Sequence, residues 1–378
     1  MKYKIPLFKL HYGKSEERAV LKVLRSKWIS MGPITEDFET AFAGRLHAKH
    51  VLAVSSCTDA LHLAMLVLGI GEGDEVIVPA LTFVATVNAI RYVRATPVFA
   101  DIKSSVDLTV DPDDVANKIT PKTKAILVVH YGGYAADMDT IMALADKHGI
   151  SVVEDAAHAP DADYKGKKLG AIGDIGCFSF FANKNITCAK GGAFVTNSDE
   201  YAQRARLLRS HGMTTLSYDR ATGHAVDYDV LDLGYNYRID DIRAAILLAQ
   251  LERLSTDIDK RSTLVKEYHR LLTGIDEIIL PFEKYPYRSS HYVMPVVLNA
   301  VKVNVSRDEI RRRLQLHGIQ TSVHYPPVNR FDIYKEYHSP LPRTESVAQS
   351  EVTLPLYYSL ETSEIEAVVE SLKISMRE

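Results

Sequence analysis

The chain reads as an α/β protein, a mostly parallel sheet flanked by helices and followed by a smaller α+β unit. Three observations predict this. Short apolar runs alternate with helical segments of about ten residues between positions 51 and 155. Several of the runs are apolar throughout, as strands covered on both faces are. Beyond Gly274 the alternation stops, and a different mixture of strand-like and helical segments begins.

At 378 residues the chain is too long for one small core, so two domains are expected. Hydrophobic residues at 46% and charged residues at 25% are ordinary for a globular protein. A net charge of −3 gives no support to a nucleic-acid or membrane-surface role. No run of about 18 apolar residues could span a bilayer. Cys57, Cys177 and Cys188 lack CxxC spacing and read as reduced thiols of a cytoplasmic protein. The opening Met-Lys-Tyr-Lys-Ile-Pro has no apolar signal core.

Residues 15–25 put Val20, Leu21 and Leu24 at helical spacing. Gly32 and Pro33 break the chain. Thr35 is the expected cap of a second helix, which carries Phe38, Phe42 and Leu46 on one face. The alternation then runs strand 51–55, helix 58–68, strand 75–79, helix 83–92, strand 97–101, helix 111–119, strand 125–130, helix 138–148 and strand 151–155. Right-handed crossovers between such strands build a parallel sheet, whose ligands sit beyond the carboxyl ends of the strands. The apolar run 177–181 is read as another strand, and 193–196 as a short one after Gly191 and Gly192. Residues 212–232 form a polar loop. A long helical stretch, 239–272, follows, with a break expected near Ser255. Strands 291–298 and 320–324 and helices 307–316 and 363–372 make the last unit. The chain divides into a large domain, 1–255, and a small one, 256–378.

Four features fall at strand carboxyl ends. Lys184 follows an apolar run; it is either a solvated turn lysine or an amine desolvated enough for Schiff-base chemistry. Residues 55–60 join a strand to a helix whose first N–H groups lack intrahelical partners. Ser56 or Thr58 can simply cap that helix, or it can seat a phosphate. Asp155 can cap a helix or neutralise a ring cation, with His158 as a core histidine nearby. Phe83 can pack in the core or stack on a planar ring. The glycines of 69–74 follow a helix and precede a strand, the reverse of a dinucleotide loop, and no P-loop or metal-ligand spacing occurs. An anion seat, an aromatic, an acid and a lysine are together the set that pyridoxal phosphate needs.

Five runs carry a resemblance: 55–61 (Ser-Ser-Cys-Thr-Asp-Ala-Leu), 79–86 (Pro-Ala-Leu-Thr-Phe-Val-Ala-Thr), 154–159 (Glu-Asp-Ala-Ala-His-Ala), 178–187 (Phe-Ser-Phe-Phe-Ala-Asn-Lys-Asn-Ile-Thr) and 234–238 (Gly-Tyr-Asn-Tyr-Arg). Through them the chain resembles the DegT/DnrJ/EryC1/StrS family of nucleotide-sugar aminotransferases, a fold-type-I branch of the pyridoxal-phosphate enzymes. The resemblance runs from Trp28 to the C-terminal helix and implies a mostly parallel seven-stranded sheet in the large domain. It implies pyridoxal 5′-phosphate as cofactor, with Lys184 as Schiff-base lysine and proton shuttle and Asp155 as partner of the ring nitrogen. Phe83 matches the ring stack, and the backbone of Cys57, Thr58 and Asp59 the phosphate loop. Ser179 matches a phosphate-binding hydroxyl, and His158 a position beside the ring hydroxyl. Asn236 matches an asparagine that reaches the phosphate from the other subunit, so a homodimer is implied.

The same resemblance implies L-glutamate as amino donor and a nucleotide-linked keto deoxysugar as acceptor, closest to members aminating UDP-linked 4-keto sugars. The alternatives are C3 amination, a dTDP- or GDP-linked sugar, or a non-transaminating dehydratase or regulator. Some such relatives carry histidine in place of the lysine, and Lys184 argues against them. Trp28, Ser30, Met31, the 212–232 loop, His324 and Tyr325 are the expected sugar and nucleotide contacts. No metal is implied. Two positions depart from the family pattern. Lys190 stands before the glycine pair where glutamate is usual, and is expected to point to solvent. Cys57 stands where glycine or alanine is usual.

Overall fold

The computed structural model describes residues 3–215, 218, 223 and 227–377. Two helices, α1 (Lys14–Ser26) and α2 (Pro33–Leu46), precede the sheet. Then come β1 (His50–Val54), α3 (Cys57–Val67), β2 (Glu75–Pro79), α4 (Val84–Tyr92), β3 (Thr96–Ala100), α5 (Pro112–Lys118), β4 (Thr123–Val129), α6 (Met138–His148) and β5 (Ser151–Asp155). These follow the expected alternation to within two residues at each end. A small hairpin, β6 (Asp163–Tyr164) and β7 (Lys167–Lys168), leads to β8 (Ile175–Ser179), β9 (Gly192–Thr196) and α7 (Asp199–Arg209).

The seven-stranded sheet has the order β1-β9-β8-β5-β4-β2-β3. The pairs β2–β3, β2–β4, β4–β5 and β5–β8 are parallel. Only β9 is reversed, antiparallel to both β1 and β8. Residues 180–191 are therefore a return connection at the carboxyl end of β8, and they carry Lys184.

Helices cover both faces because alternate strand residues point opposite ways. On one face Val152 and Phe178 meet Phe38 and Phe42 of α2; on the other Val153 and Cys177 meet Leu61 and Leu63 of α3. Phe38, Phe42 and Leu46 are all buried. The Phe42 and Phe178 rings meet edge-on at 5.1 Å. Burial of each such ring contributes roughly 1.5–3 kcal/mol.

Two local expectations fail, each to a longer-range contact. Thr35 does not cap α2. Gly32 holds the cap position, and the buried carboxylate of Asp241 accepts from the N–H groups of Gly32, Ile34 and Thr35. Thr35 Oγ1 also donates to Asp241, at 2.6 Å. Residues 320–324 are not a strand. Ser322 makes one isolated bridge to Thr353, and the His324 N–H turns to a side chain, Glu351. The long helical stretch does break close to the expected Ser255, at Glu252 and Arg253, between helices Asp241–Leu251 and Leu254–Leu272. Helix α7 went unassigned in the sequence; Ser198 caps it, and Ala202, Ala205 and Leu208 bury its inner face. Of the expected 212–232 loop, residues 216, 217, 219–222 and 224–226 lie outside the described residues.

The smaller unit has a three-stranded antiparallel sheet, β10 (Ile278–Ile279), β11 (Met294–Leu298) and β12 (Glu351–Leu354). Helices Arg307–Leu316 and Thr362–Arg377 pack on it around Val296, Leu314, Val352 and Val369. Helix Leu254–Leu272 bridges the units. Its Leu254 and Ile258 belong to the large core, and its Leu264 and Tyr268 to the small one. Ile5 joins the small core as well, docked by a parallel bridge to Ile319.

Candidate active site

Two adjacent acids end β5, and the strand period separates them. Glu154 is consumed structurally. It accepts from the N–H groups of Gly170, Ile172 and Gly173, each at 2.7 Å, and meets His130 Nε2 at 2.8 Å. Asp155 faces a cavity of about 460 Å³ instead. Its carboxylate accepts from Thr86 Oγ1 at 2.8 Å and from the Ala157 N–H at 3.1 Å. Burial pushes the Asp155 carboxyl above the ordinary range, while those bonds and the Lys184 charge pull it down. A buried carboxylate held this way is best completed by a cation.

The amino end of α3 forms another wall. Ser56 caps the helix, accepting from the Asp59 N–H at 3.2 Å, and Ser56, Cys57 and Thr58 all line the cavity. The Asp59 side chain turns away to accept from Ser55 Oγ. Gly192 of β9 passes so close that an added Cβ would lie 2.5 Å from Cys57 N. Positive dipole, backbone donors and close approach make an anion seat. Ser179, last residue of β8, lines the same cavity. Burial pushes the Cys57 thiol well above the usual range, so it is no nucleophile.

Lys184 stands in the 180–191 return. Asn185 anchors that turn, donating to the Ser290 carbonyl at 2.6 Å. Lys184 Nζ lies over the Tyr292 ring, 4.1 Å from its centroid. Tyr292 in turn stacks on His158, at 4.3 Å. His158 Nδ1 accepts from the Gly132 N–H at 3.3 Å, and its Nε2 lies 2.9 Å from the Tyr325 hydroxyl. Burial is the main cause that holds the His158 imidazole well below its usual range. Phe83 lines the cavity with 57% of its surface open and tilts toward Tyr325.

Cys57, Thr58, Phe83, Asp155, His158, Ser179, Lys184, His324 and Tyr325 thus share one cavity. Ser30, Met31 and Asn236 do not. They line a second hollow of about 230 Å³ with Arg238 and Arg243. Trp28 sits near it, its Nε1 donating to the Met31 carbonyl at 3.4 Å. Lys190 is exposed at the rim of the first cavity, its backbone carbonyl held by Arg243 Nη1 at 3.1 Å. Sequence reasoning missed Thr86 and Tyr292. A signal existed for Thr86, which lies one helical turn beyond Phe83. None existed for Tyr292, which belongs to the neighbouring unit. The residues present fit pyridoxal phosphate: an anion seat, a buried acid in need of a cation, an exposed aromatic face and an amine converge on one space.

Solved structures agree in fold over the whole chain. The chain is similar to Helicobacter pylori PseC, an aminotransferase involved in pseudoaminic acid biosynthesis, at 29% identity and a TM-score of 0.91, covering 100% of this chain and 99% of that one. It is similar to the aminotransferase TlmJ from Streptoalloteichus hindustanus at 34% identity and a TM-score of 0.90, covering 98% of each. It is similar to S. venezuelae DesV, solved in complex with a ketimine intermediate, at 35% identity and a TM-score of 0.89, covering 100% of each. Residues 11–373 match the family pattern itself, and the chain belongs to the DegT/DnrJ/EryC1/StrS aminotransferase family.

Proposed function

We propose that this sugar aminotransferase moves an amino group from L-glutamate to the C4 keto carbon of a nucleotide-linked deoxysugar, a UDP-linked one by its closest motifs, as a cytoplasmic homodimer. One observation carries the amine chemistry: Lys184, Asp155 and the amino end of α3 line a single cavity. Pyridoxal 5′-phosphate, when bound, supplies an electron sink for negative charge on the carbon that bears the amine.

The chain's own residues do the rest. Backbone N–H groups of Cys57 and Thr58 and the Ser179 hydroxyl hold the phosphate, the Asp59 N–H being taken up by the Ser56 cap. Asp155, oriented by Thr86, keeps the ring nitrogen protonated, and Phe83 covers the ring face. Lys184 anchors the cofactor between turnovers. Once displaced by the donor, its amine takes the proton from the donor α-carbon and returns one to the cofactor side. The Tyr292 face gives the lysine ammonium a place to rest, since an aromatic face attracts a cation. His158 and Tyr325 border the ring hydroxyl side, and His324 and Tyr325 contact the sugar. Trp28, Ser30, Met31 and Asn236, grouped around the second hollow, serve the nucleotide and the partner subunit's phosphate.

The decisive experiment adds L-glutamate to the holoenzyme and follows the cofactor absorbance band. The band should shift in the wild type and be absent in Lys184→Ala; an unchanged band would sink the lysine assignment. A panel of nucleotide-linked keto sugars offered to the aminated enzyme, with products read by mass and NMR, then decides the sugar and the carbon. Products aminated at C3 would overturn the C4 assignment.

A further inference from the structure

A buried chain of hydrogen bonds reaches the cavity from the small unit. Glu351, on β12, is fully buried. Its Oε2 accepts from the His324 N–H at 2.9 Å, and its Oε1 accepts from the Thr353 hydroxyl at 2.6 Å. That hydroxyl lies 2.8 Å from His324 Nδ1. Tyr131 clamps the same residue from the other side, its hydroxyl donating to the His324 carbonyl at 2.5 Å.

A hydroxyl has one proton, and this limits the chain to two arrangements. When Glu351 is ionised, Thr353 donates to it and can only accept from His324. Nδ1 then carries the ring proton, and Nε2 is a bare acceptor. When Glu351 is protonated, the carboxyl donates to Thr353 and Thr353 donates to Nδ1. The ring proton then sits on Nε2. His324 lines the cavity with Lys184, and its Nε2 has no protein hydrogen-bond partner among the described residues.

We propose that Glu351, Thr353 and His324 form a proton relay that opens into the active-site cavity at His324 Nε2. A proton accepted at Nε2 moves the Nδ1 proton to Thr353 and the Thr353 proton to Glu351. The reverse sequence returns one proton to the cavity. Each passage moves one proton, leaves the imidazole neutral at both ends and needs no other reactant. The inference rests on the aminotransferase reading, in which a donor ammonium must lose a proton and a keto oxygen must gain protons to leave as water. Glu351 and Thr353 are positioning residues; His324 alone faces the reacting groups.

Electrostatics support the two end states. Burial pushes the Glu351 carboxyl up to about 7, so both of its forms are accessible near neutral pH. Burial and the Lys184 charge hold the His324 imidazole down at about 3, so the ring responds by changing tautomer and not by becoming an imidazolium. Arg307 and Arg311 favour the Glu351 carboxylate from a distance. They are themselves paired with Asp308. The phenols of Tyr131 and Tyr325 also sense the Glu351 charge, and burial keeps both protonated.

The test is ¹⁵N NMR of histidine-labelled holoenzyme from about pH 5 to about pH 9, bracketing the range in which such switches operate. His324→Gln identifies the resonance. In the wild type His324 should pass from the Nε2–H tautomer at low pH to the Nδ1–H tautomer at high pH. In Glu351→Gln the His324 N–H holds the amide oxygen, the amide N–H donates to Thr353, and the Nε2–H tautomer should persist throughout. Thr353→Val, close in shape, should abolish the pH response even if Glu351→Gln fails to fold. A wild-type His324 that keeps one tautomer, or a Glu351→Gln protein that titrates like the wild type, overturns the relay. The measurement needs no turnover. A protein that exchanges tautomers but aminates no sugar defeats only the functional reading; one that aminates sugars with a fixed tautomer defeats only the relay.

Discussion

The Tyr325 hydroxyl stands 2.9 Å from Nε2 of His158, whose other ring nitrogen accepts from the Gly132 N–H. Burial keeps this imidazole neutral. With Nδ1 accepting, its one proton must sit on Nε2 and be donated to the tyrosine oxygen. The Tyr325 proton is then left to point into the cavity. In Tyr325→Phe a buried donor loses its partner and the cavity loses a hydroxyl. Each such loss costs about 1–3 kcal/mol. Sugar amination should slow by roughly tenfold to a hundredfold. The glutamate half-reaction should change less. Single-turnover kinetics of the two half-reactions checks this.

Among the described residues, Thr86 is the one side chain that donates to Asp155. Thr86→Val keeps the shape and removes the donor, leaving the acid with only the Ala157 N–H. The Asp155 carboxyl should rise further and hold a ring cation less firmly. Cofactor affinity should fall about tenfold, in line with the 1.5–3 kcal/mol of a hydrogen bond to a charged group. Spectroscopic titration of cofactor-free protein measures it.

Gly192 is required by proximity. An alanine Cβ there would meet Cys57 N at 2.5 Å and Ser56 C at 2.5 Å, both backbone atoms that cannot swing aside. Gly192→Ala should push the amino end of α3 out of line and weaken phosphate binding more than tenfold, since several aligned N–H donors move together. Binding of the cofactor and of inorganic phosphate should fall in parallel; cofactor binding at wild-type strength would refute the seat.

Asp241 is the acceptor for the first turn of α2, with 2% of its surface exposed. Asp241→Ala strands the N–H groups of Gly32 and Ile34 together with the Thr35 hydroxyl, while the Thr35 N–H keeps the Gly32 carbonyl. The expected loss is about 3–5 kcal/mol, with Asp241→Asn costing less because one acceptor oxygen remains. Urea denaturation at neutral pH measures both.

Glu351 should make stability pH-dependent in a defined direction. Its carboxyl sits at about 7 in the folded protein, above its ordinary value of 4.5, with burial as the main cause. The folded state therefore binds the proton more tightly than the unfolded state. The stability this contributes is full below about pH 4.5 and is lost as pH rises through about 7, on the order of 3 kcal/mol in all. Glu351→Gln should remove this pH-dependent loss. Denaturation at about pH 5 and about pH 8 shows it as a change in the difference between wild type and variant.

The sheet was legible because its signals are local. Several of the runs from Val51 to Asp155 are apolar throughout, and helical segments of about ten residues separate them. The site was legible for a related reason. Parallel strands bring their carboxyl ends to one edge, so Thr58, Phe83, Asp155 and Ser179 could be placed together from chain order alone. The reversal of β9, the Asp241 cap of α2 and the bridged segment around Ser322 were not legible. Each is decided by a group far along the chain, and no local period marks it.

The same division holds within the cavity. The amino-acid sequence by itself determined the family and the sheet, and it brought Lys184, Asp155 and the start of α3 to one sheet edge, because residue type and position along a strand suffice for that. Only the tertiary structure decided that Glu154 is spent on Gly170, Ile172 and Gly173 while Asp155 is left for the cavity. It alone decided that Tyr292 lies under Lys184 and that Asn236 belongs to a second hollow. It alone joined Glu351 to His324. A hydrogen bond depends on distance and direction between groups from separate elements, and those are set when the two units pack against each other.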